Sequence, residues 1–97
     1  MRKALTEQDS CYTPKYFTNV FGVFDYDPAT TEEQARYLGI NNYDTIETDG
    51  LIQDWNYKKI WINPPFTKKF EFLTKAVETY KKYRNDIYIV SYRKYDY

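Results

Sequence analysis

The sequence predicts an α/β fold in which helices flank a mostly parallel sheet. Segments rich in β-branched and aromatic residues alternate along the chain with segments of helical periodicity. Such alternation is typical of βαβ units, in which a crossover helix joins two parallel strands. The length of 97 residues suits one domain over residues 1–97, and the polar segment 1–11 is expected to be flexible.

A helix and a strand are predicted first. Pro14 suits a first helical position, and the apolar residues after it recur at helical spacing, so a short helix should end near Gly22. The alternating, β-rich segment 23–27 predicts a strand. Pro28 should end that strand, because proline has no N–H to donate to a sheet.

A second helix and a candidate short strand follow. The Thr-x-x-Glu pattern over residues 30–33 is typical of a helix start and predicts a helix through residue 38. Gly39 can end this helix in the left-handed region. Turn signals at residues 41–42 and 49–50 bracket the segment 43–48, which is a candidate short strand.

The second half of the chain predicts strand, helix and strand. Residues 59–63 read as a buried strand that Pro64-Pro65 ends. Thr67 can cap the next helix, and residues 86–92 predict a final strand. The apolar stripe expected to face the core of that helix consists of Phe70, Leu73, Ala76, Val77 and Tyr80.

Composition excludes several classes of function. The chain has no histidine and one cysteine, Cys11, so a Ser-His-Asp triad, a zinc site and an internal disulfide are excluded. A single cysteine fits a reducing compartment such as the cytoplasm. No apolar run approaches a membrane span. Fourteen basic and fourteen acidic residues balance, although residues 67–97 hold eight basic and four acidic groups.

Asn63-Pro64-Pro65-Phe66, directly after a predicted strand, is the segment best suited to chemistry. Methylation of an exocyclic amine requires acceptors for both amine hydrogens and in-line geometry. The Asn63 side-chain oxygen and a carbonyl of Pro64-Pro65 are such acceptors, and proline holds them rigidly. Phe66 can stack on a base flipped out of its duplex. Taken alone, the same four residues are equally consistent with a turn that ends a strand.

Four segments carry a resemblance to a known family. They are Tyr12-Thr13-Pro14, the segment 24–29 that ends in Asp27-Pro28-Ala29, the Asp-Gly-Leu-x-x-x-Trp segment 49–55, and the segment 60–66 that ends in Asn-Pro-Pro-Phe. In this order they resemble the phage-type DNA N6-adenine methyltransferases, the phage Dam family within the γ-class amino-methyltransferases. The resemblance covers residues 12–90.

The resemblance implies a small, incomplete Rossmann-like methyltransferase fold that uses S-adenosylmethionine to methylate adenine in DNA. It places Asp49 near the cofactor adenine and the tetrapeptide 63–66 around the target adenine. The residues that it places near the rest of the cofactor are Tyr12, Thr13, Asp27, Pro28 and Ala29. On the residues alone, Asp27 can equally be a polar strand end and Asp49-Gly50 a common turn, while Trp55 and Trp61 suit core packing.

Two departures keep an alternative open. Residues 29–32 contain no glycine, where the wider class has a glycine-rich cofactor loop. The chain also ends one strand after the tetrapeptide helix, so a truncated sheet with an open edge is expected, and a homodimer could cover that edge. The alternative is a catalytically inactive phage protein that binds and inhibits a host defence or replication protein. A third, weaker alternative is a binder of an adenine-containing nucleotide.

Overall fold

The computed structural model describes residues 20–90 of the chain. The expected flexibility of residues 1–11, most of the helix predicted from Pro14, and the end of the last predicted strand lie outside these residues. Within them, four strands and two complete helices form one α/β unit. Val20 and Phe21 are also helical and Gly22 follows with a φ of 89°, so the first predicted helix ends where expected. The strands are β1 (Tyr26–Asp27), β2 (Asn42–Tyr43), β3 (Lys59–Ile62) and β4 (Asp86–Ile89), and the helices are α1 (Glu32–Leu38) and α2 (Lys69–Tyr83).

All four strands are parallel, in the order β2-β1-β3-β4. The longest ladder joins β3 to β4 over four residue pairs, from Lys59↔Asp86 to Ile62↔Ile89. A single pair, Tyr26↔Ile60, joins β1 to β3. The predicted α/β fold with a parallel sheet is therefore confirmed. The first strand is shorter than the predicted segment 23–27.

Helix α1 has well-defined ends. Thr31, in an extended conformation, is the N-cap, and its hydroxyl oxygen accepts a hydrogen bond from the N–H of Gln34 at 3.1 Å. The cap is thus one residue later than the pattern over residues 30–33 predicts, because Thr31 and Gln34 form an equivalent capping pair. Gly39 ends the helix with φ 76°, as predicted.

Strand β2 is shorter and earlier than predicted. It covers Asn42–Tyr43 rather than residues 43–48. The hydroxyl of Thr48 accepts from the N–H of Thr45 at 2.8 Å, and the carbonyl of Thr45 accepts from the N–H of Asp49 at 2.8 Å. Residues 45–48 therefore form a compact turn, because these local hydrogen bonds compete with a strand ladder.

Two apolar clusters lie on opposite faces of the sheet and give three layers. Cluster one is covered by α2 and cluster two by α1. Both tryptophans are buried, which confirms their interpretation as core residues. Cluster one consists of Tyr26, Trp55, Ile60, Ile62, Phe72 and Ala76, and cluster two of Phe24, Ala35, Leu38, Ile40 and Trp61.

The predicted core face of α2 is wrong in part. Ala76 is buried as predicted, but Phe70 is 76% exposed and Val77 54% exposed. Phe72 and Thr79, which lie outside the predicted stripe, are buried instead. The reason is packing. Phe72 stacks on Trp55 with ring centroids 6.1 Å apart, and the smaller side chains of Ala76 and Thr79, one and two turns later, let the helix approach the sheet.

The start of α2 also differs from the prediction. A short 3-10 segment, Phe66–Lys68, precedes the helix, and Lys68 occupies the N-cap position without a side-chain hydrogen bond. Thr67 therefore lies inside the 3-10 segment and does not cap α2. Within residues 20–90, neither helix has the length and apolar character needed to cross a membrane.

Replacement of Phe72 by alanine tests the observed face of α2. Because Phe72 is buried against Trp55, Phe72→Ala should lower the free energy of unfolding by about 3 kcal/mol or more. Phe70→Ala is the matched control and should change it by less than about 0.5 kcal/mol, since Phe70 is exposed. Urea unfolding followed by tryptophan fluorescence measures both. Equal decreases in the free energy of unfolding of the two variants would instead support the face predicted from the sequence.

Candidate active site

The sheet order creates a topological switch point between β1 and β3. From β1 the chain runs to β2 on one side and then to β3 on the other side of β1. In open α/β sheets, ligands bind outside the carboxyl ends of the strands at such a switch point. Asp27 ends β1 and Asn63 directly follows β3. The structure thus brings the predicted cofactor residues of β1 and the predicted base residues after β3 to the same edge.

Asp27 is buried at the end of β1. Its side chain is 2% exposed, and Oδ1 accepts a hydrogen bond from the N–H of Ala29 at 3.0 Å. Its backbone carbonyl accepts from the N–H of Asp44 at 3.0 Å. Burial raises the pKa of Asp27 to about 7, although the Ala29 hydrogen bond opposes this shift. A neighbouring positive charge would favour the ionised carboxylate.

Pro28 and Gly50 are in close backbone contact. A Cβ atom on Gly50 would lie 2.0 Å from the carbonyl oxygen of Pro28, which no side chain permits. Both residues are buried. Glycine at position 50 therefore allows the segment after β2 to lie directly against the end of β1.

Asp49 and Trp55 hold this segment in place. Asp49 has a φ of 56°, and its Oδ1 accepts from the N–H of Leu51 at 3.1 Å, at the start of the 3-10 segment Gly50–Ile52. The indole N–H of Trp55 donates to the carbonyl of Gly50 at 2.8 Å. Asp49 thus lies beside the end of β1, the region in which the resemblance places the cofactor.

The tetrapeptide 63–66 has one exposed member. Asn63, Pro64 and Pro65 are half-buried, whereas Phe66 is 45% exposed. The carbonyl of Pro65 already accepts from the N–H of Lys68 at 3.0 Å. The Pro64 carbonyl is therefore the better placed of the two proline carbonyls to accept a hydrogen bond from a substrate amine.

Asp44 is a candidate site residue that the sequence analysis missed. It directly follows β2, and its Oδ2 accepts a hydrogen bond from the Tyr26 hydroxyl at 2.5 Å. Burial, together with this acidic neighbour, raises the pKa of Tyr26 well above its usual range. In nucleotide-binding α/β folds, an acidic residue further along the chain binds the ribose hydroxyls. The assignment of residues 43–48 to a strand concealed Asp44, because the residue then fell inside the strand instead of at its end.

Charge divides the carboxyl edge of the sheet into two halves. Asp27, Asp44 and Asp49 lie after β1 and β2, whereas Lys68 and Lys69 follow β3. An acidic half suits a cationic ligand, and a basic half suits phosphate groups. A separate open cavity of about 280 Å³ lies at the end of α1 and the start of β2, and it contains none of the predicted site residues. Tyr12 and Thr13 lie outside the described residues, so their role stays a prediction.

The raised pKa of Asp27 predicts that stability falls as the pH rises. The folded state binds the proton more tightly than the unfolded chain, whose carboxyl titrates near 3.8. The resulting stabilisation is fully present below that value and is lost as the pH rises through about 7, by at most about 1.4 kcal/mol per pH unit. Urea unfolding at a series of pH values should show this decline in the wild type and a flatter profile in Asp27→Asn. Parallel profiles of stability against pH in the wild type and Asp27→Asn would contradict a raised pKa at Asp27.

The contact between Gly50 and Pro28 predicts the effect of a single methyl group. Gly50→Ala should cost about 1–3 kcal/mol of stability, because the new Cβ must displace the Pro28 backbone. Gly39→Ala is the control: its Cβ would meet no atom within 4 Å, and only its positive φ is strained. Amide NMR shifts of Ala29 and Leu51 should move in Gly50→Ala and stay unchanged in Gly39→Ala. Unchanged shifts in both variants would show that the two segments are not in contact.

Comparison with protein families matches residues 4–92, nearly the whole chain, to the family described as DNA N-6-adenine-methyltransferase (Dam). Searches of curated proteins and of solved structures gave no significant match. The matched region contains every element described above, and its α/β fold is compatible with a small Rossmann-like methyltransferase domain. The protein is therefore a member of the Dam family of DNA adenine methyltransferases.

Proposed function

We propose that this protein transfers a methyl group from S-adenosylmethionine to N6 of adenine in DNA. One observation carries the proposal: Asn63-Pro64-Pro65-Phe66 follows β3 at the switch point, on the same edge of the sheet as Asp27-Pro28 of β1. Membership of the Dam family supports the same reaction. DNA is then the partner, and the cytoplasm of a bacterial host is the expected place of action.

The acidic half of the edge fits S-adenosylmethionine, which supplies an activated methyl group on its positively charged sulfur when bound. Asp27 and Ala29 would lie against the amino-acid part of this cofactor, and the cation would favour the ionised form of the Asp27 carboxyl. Asp44 would accept hydrogen bonds from the ribose hydroxyls. Asp49 would accept from the amino group of the cofactor adenine. The contact of Gly50 with Pro28 brings these carboxylates to one edge.

The tetrapeptide 63–66 would hold the target amine. Asn63 Oδ1 and the Pro64 carbonyl would each accept one hydrogen of the adenine N6 amine and orient its lone pair along the line of attack. As the new N–C bond forms and the bond between that methyl carbon and the cofactor sulfur breaks, the same two oxygens would stabilise the positive charge that grows on the nitrogen. The surplus proton then leaves to solvent. No ionisable catalytic group is needed, which is consistent with a chain that has no histidine.

Phe66 would provide the stacking surface for a flipped adenine. Its ring is 45% exposed, whereas Phe24 and Phe72 are 2% and 5% exposed in the two cores. Enzymes that modify a base in duplex DNA extrude it and read it between aromatic or apolar side chains. An accessible ring directly after the two hydrogen-bond acceptors suits that requirement.

Removal of the Asn63 side chain should abolish methyl transfer without unfolding the protein. Because one of the two acceptors for the amine is lost, Asn63→Ala should lower the transfer rate by about 100-fold or more. Binding of S-adenosylmethionine should persist, since Asn63 serves the base and the carboxylates serve the cofactor. Transfer of radiolabelled methyl groups to unmethylated DNA measures the rate, and calorimetry measures the cofactor affinity.

Asn56→Ala is the matched control, because Asn56 is an exposed asparagine outside the tetrapeptide. It should retain wild-type transfer. A wild-type protein that neither binds the cofactor nor methylates DNA would overturn the proposal. The alternative of an inactive protein that inhibits a host partner stays a prediction, as does a homodimer through the edge strand β4, and both would then need a test of their own.

A further inference from the structure

Two phenylalanine rings lie exposed at the junction between the tetrapeptide and α2. Phe66 is 45% exposed and Phe70, one turn later, is 76% exposed. Lys68 and Lys69 stand between them in the sequence. We call these four residues the junction surface. The same helix does bury one aromatic ring, that of Phe72 against Trp55. The exposure of Phe66 and Phe70 is therefore not caused by the absence of a core against which α2 can pack.

We propose that the junction surface binds the DNA strand on one side of the target adenine. Phe70 stacks on a base adjacent to the flipped adenine, and Lys68 and Lys69 contact the phosphates of that strand. The inference rests on the proposed function, because it takes Phe66 as the stacking surface of the target base. It extends that function by naming Phe70 and the two lysines as the residues that hold the opened strand.

The rings suit bases that have lost their own stacking partners. Flipping one nucleotide removes a stacking neighbour from the adjacent base, which an exposed ring can replace. Stacking of bases on aromatic side chains is tolerant of sequence, because every base has a flat face. Phe70 follows Phe66 by four residues, so a second ring lies next to the position proposed for the target adenine.

The lysines provide the charge that a nucleic-acid strand requires. Residues 66–70 contain two lysines and no acidic residue, and Glu71 is the next carboxylate along α2. The ammonium group of Lys69 lies 5.7 Å from the centroid of the Phe66 ring, within cation–π distance. This contact keeps a positive charge beside the base position, where a phosphate of the same strand would pass.

A protein partner is the competing occupant, because apolar residues continue along the same side of α2. Val77 is 54% exposed and Tyr80 is 48% exposed. The guanidinium of Arg84 lies 5.3 Å from the centroid of the Tyr80 ring, and Lys81 and Lys82 lie in the same last turn, so both ends of α2 are basic. DNA is favoured at the junction surface because the tetrapeptide proposed to hold the target base lies there. Val77 therefore serves as a control for a protein-docking stripe.

The test measures binding of the full-length chain to a fluorescent single-stranded oligonucleotide with one adenine, by anisotropy. Phe70→Ala should weaken binding by about fivefold or more, which is the lower range for loss of one stacked base. Val77→Ala should leave the affinity unchanged. Lys68→Gln and Lys69→Gln should each reduce the salt dependence, with the slope of log K against log salt falling by about 0.7. Lys81→Gln and Lys82→Gln, at the far end of α2, should leave the salt dependence of binding unchanged.

Three outcomes would overturn the inference. The first is an affinity of Phe70→Ala within about twofold of the wild type. The second is an equal loss in Phe70→Ala and Val77→Ala together with a change of oligomeric state in light scattering, which would assign α2 to a protein interface. The third is a wild-type chain that binds no DNA.

The inference and the proposed function can fail separately. If the wild type methylates DNA and Phe70→Ala binds it normally, the junction surface is wrong and the reaction stands. If Phe70→Ala loses DNA affinity but the wild type transfers no methyl group, the surface stands as a DNA-binding site and the reaction is wrong.

Discussion

The contact between Gly50 and the carbonyl of Pro28 determines how the candidate site is assembled. Without a Cβ at position 50, the segment after β2 can lie directly on the end of β1. Trp55 holds this segment against the core. Its indole N–H donates to the Gly50 carbonyl at 2.8 Å, and its ring stacks on the ring of Phe72 with centroids 6.1 Å apart. The position of Asp49 beside Asp27 therefore depends on core packing as well as on the local turn.

The order of the strands places two kinds of chemistry on one edge. Strand β3 lies next to β1 because the chain reverses direction across the sheet after β2. The acidic ends of β1 and β2 and the basic segment after β3 consequently flank the same switch point. An acidic region suits a positively charged ligand and a basic region suits a nucleic acid, so this division of charge supports the proposed reaction. The Dam family match over residues 4–92 includes all of these strand ends.

Elements dominated by local signals could be predicted from the sequence. Strand β3 has a run of large apolar residues ended by two prolines, and α1 has a threonine cap and a terminal glycine, so both were predicted correctly in type and place. The face of α2 could not be predicted, because residues 70–80 contain two overlapping apolar stripes. The stacking of Phe72 on Trp55 selects between them, and that contact joins distant parts of the chain.

The same distinction applies to the site. Asp27 and the tetrapeptide could be proposed as site residues because Asp27 ends one strand that the sequence indicates and the tetrapeptide directly follows another. Asp44 was missed because side-chain hydrogen bonds within residues 45–48 shorten β2, which moves the end of that strand. Phe70 was assigned to the core because it belongs to an apolar stripe at helical spacing, whereas its exposure follows from the orientation of the whole helix.

Titration of S-adenosylmethionine into isotope-labelled protein, followed by amide NMR shifts, tests the central claim most directly. The account predicts saturable shifts at residues 27–30, Asp44 and residues 49–51, around the ends of β1 and β2. The cavity at the end of α1, lined by Glu32, Arg36 and Gly39, should show no change. Shifts confined to that cavity, or no shifts at millimolar cofactor, would contradict a methyltransferase site at the carboxyl edge of the sheet.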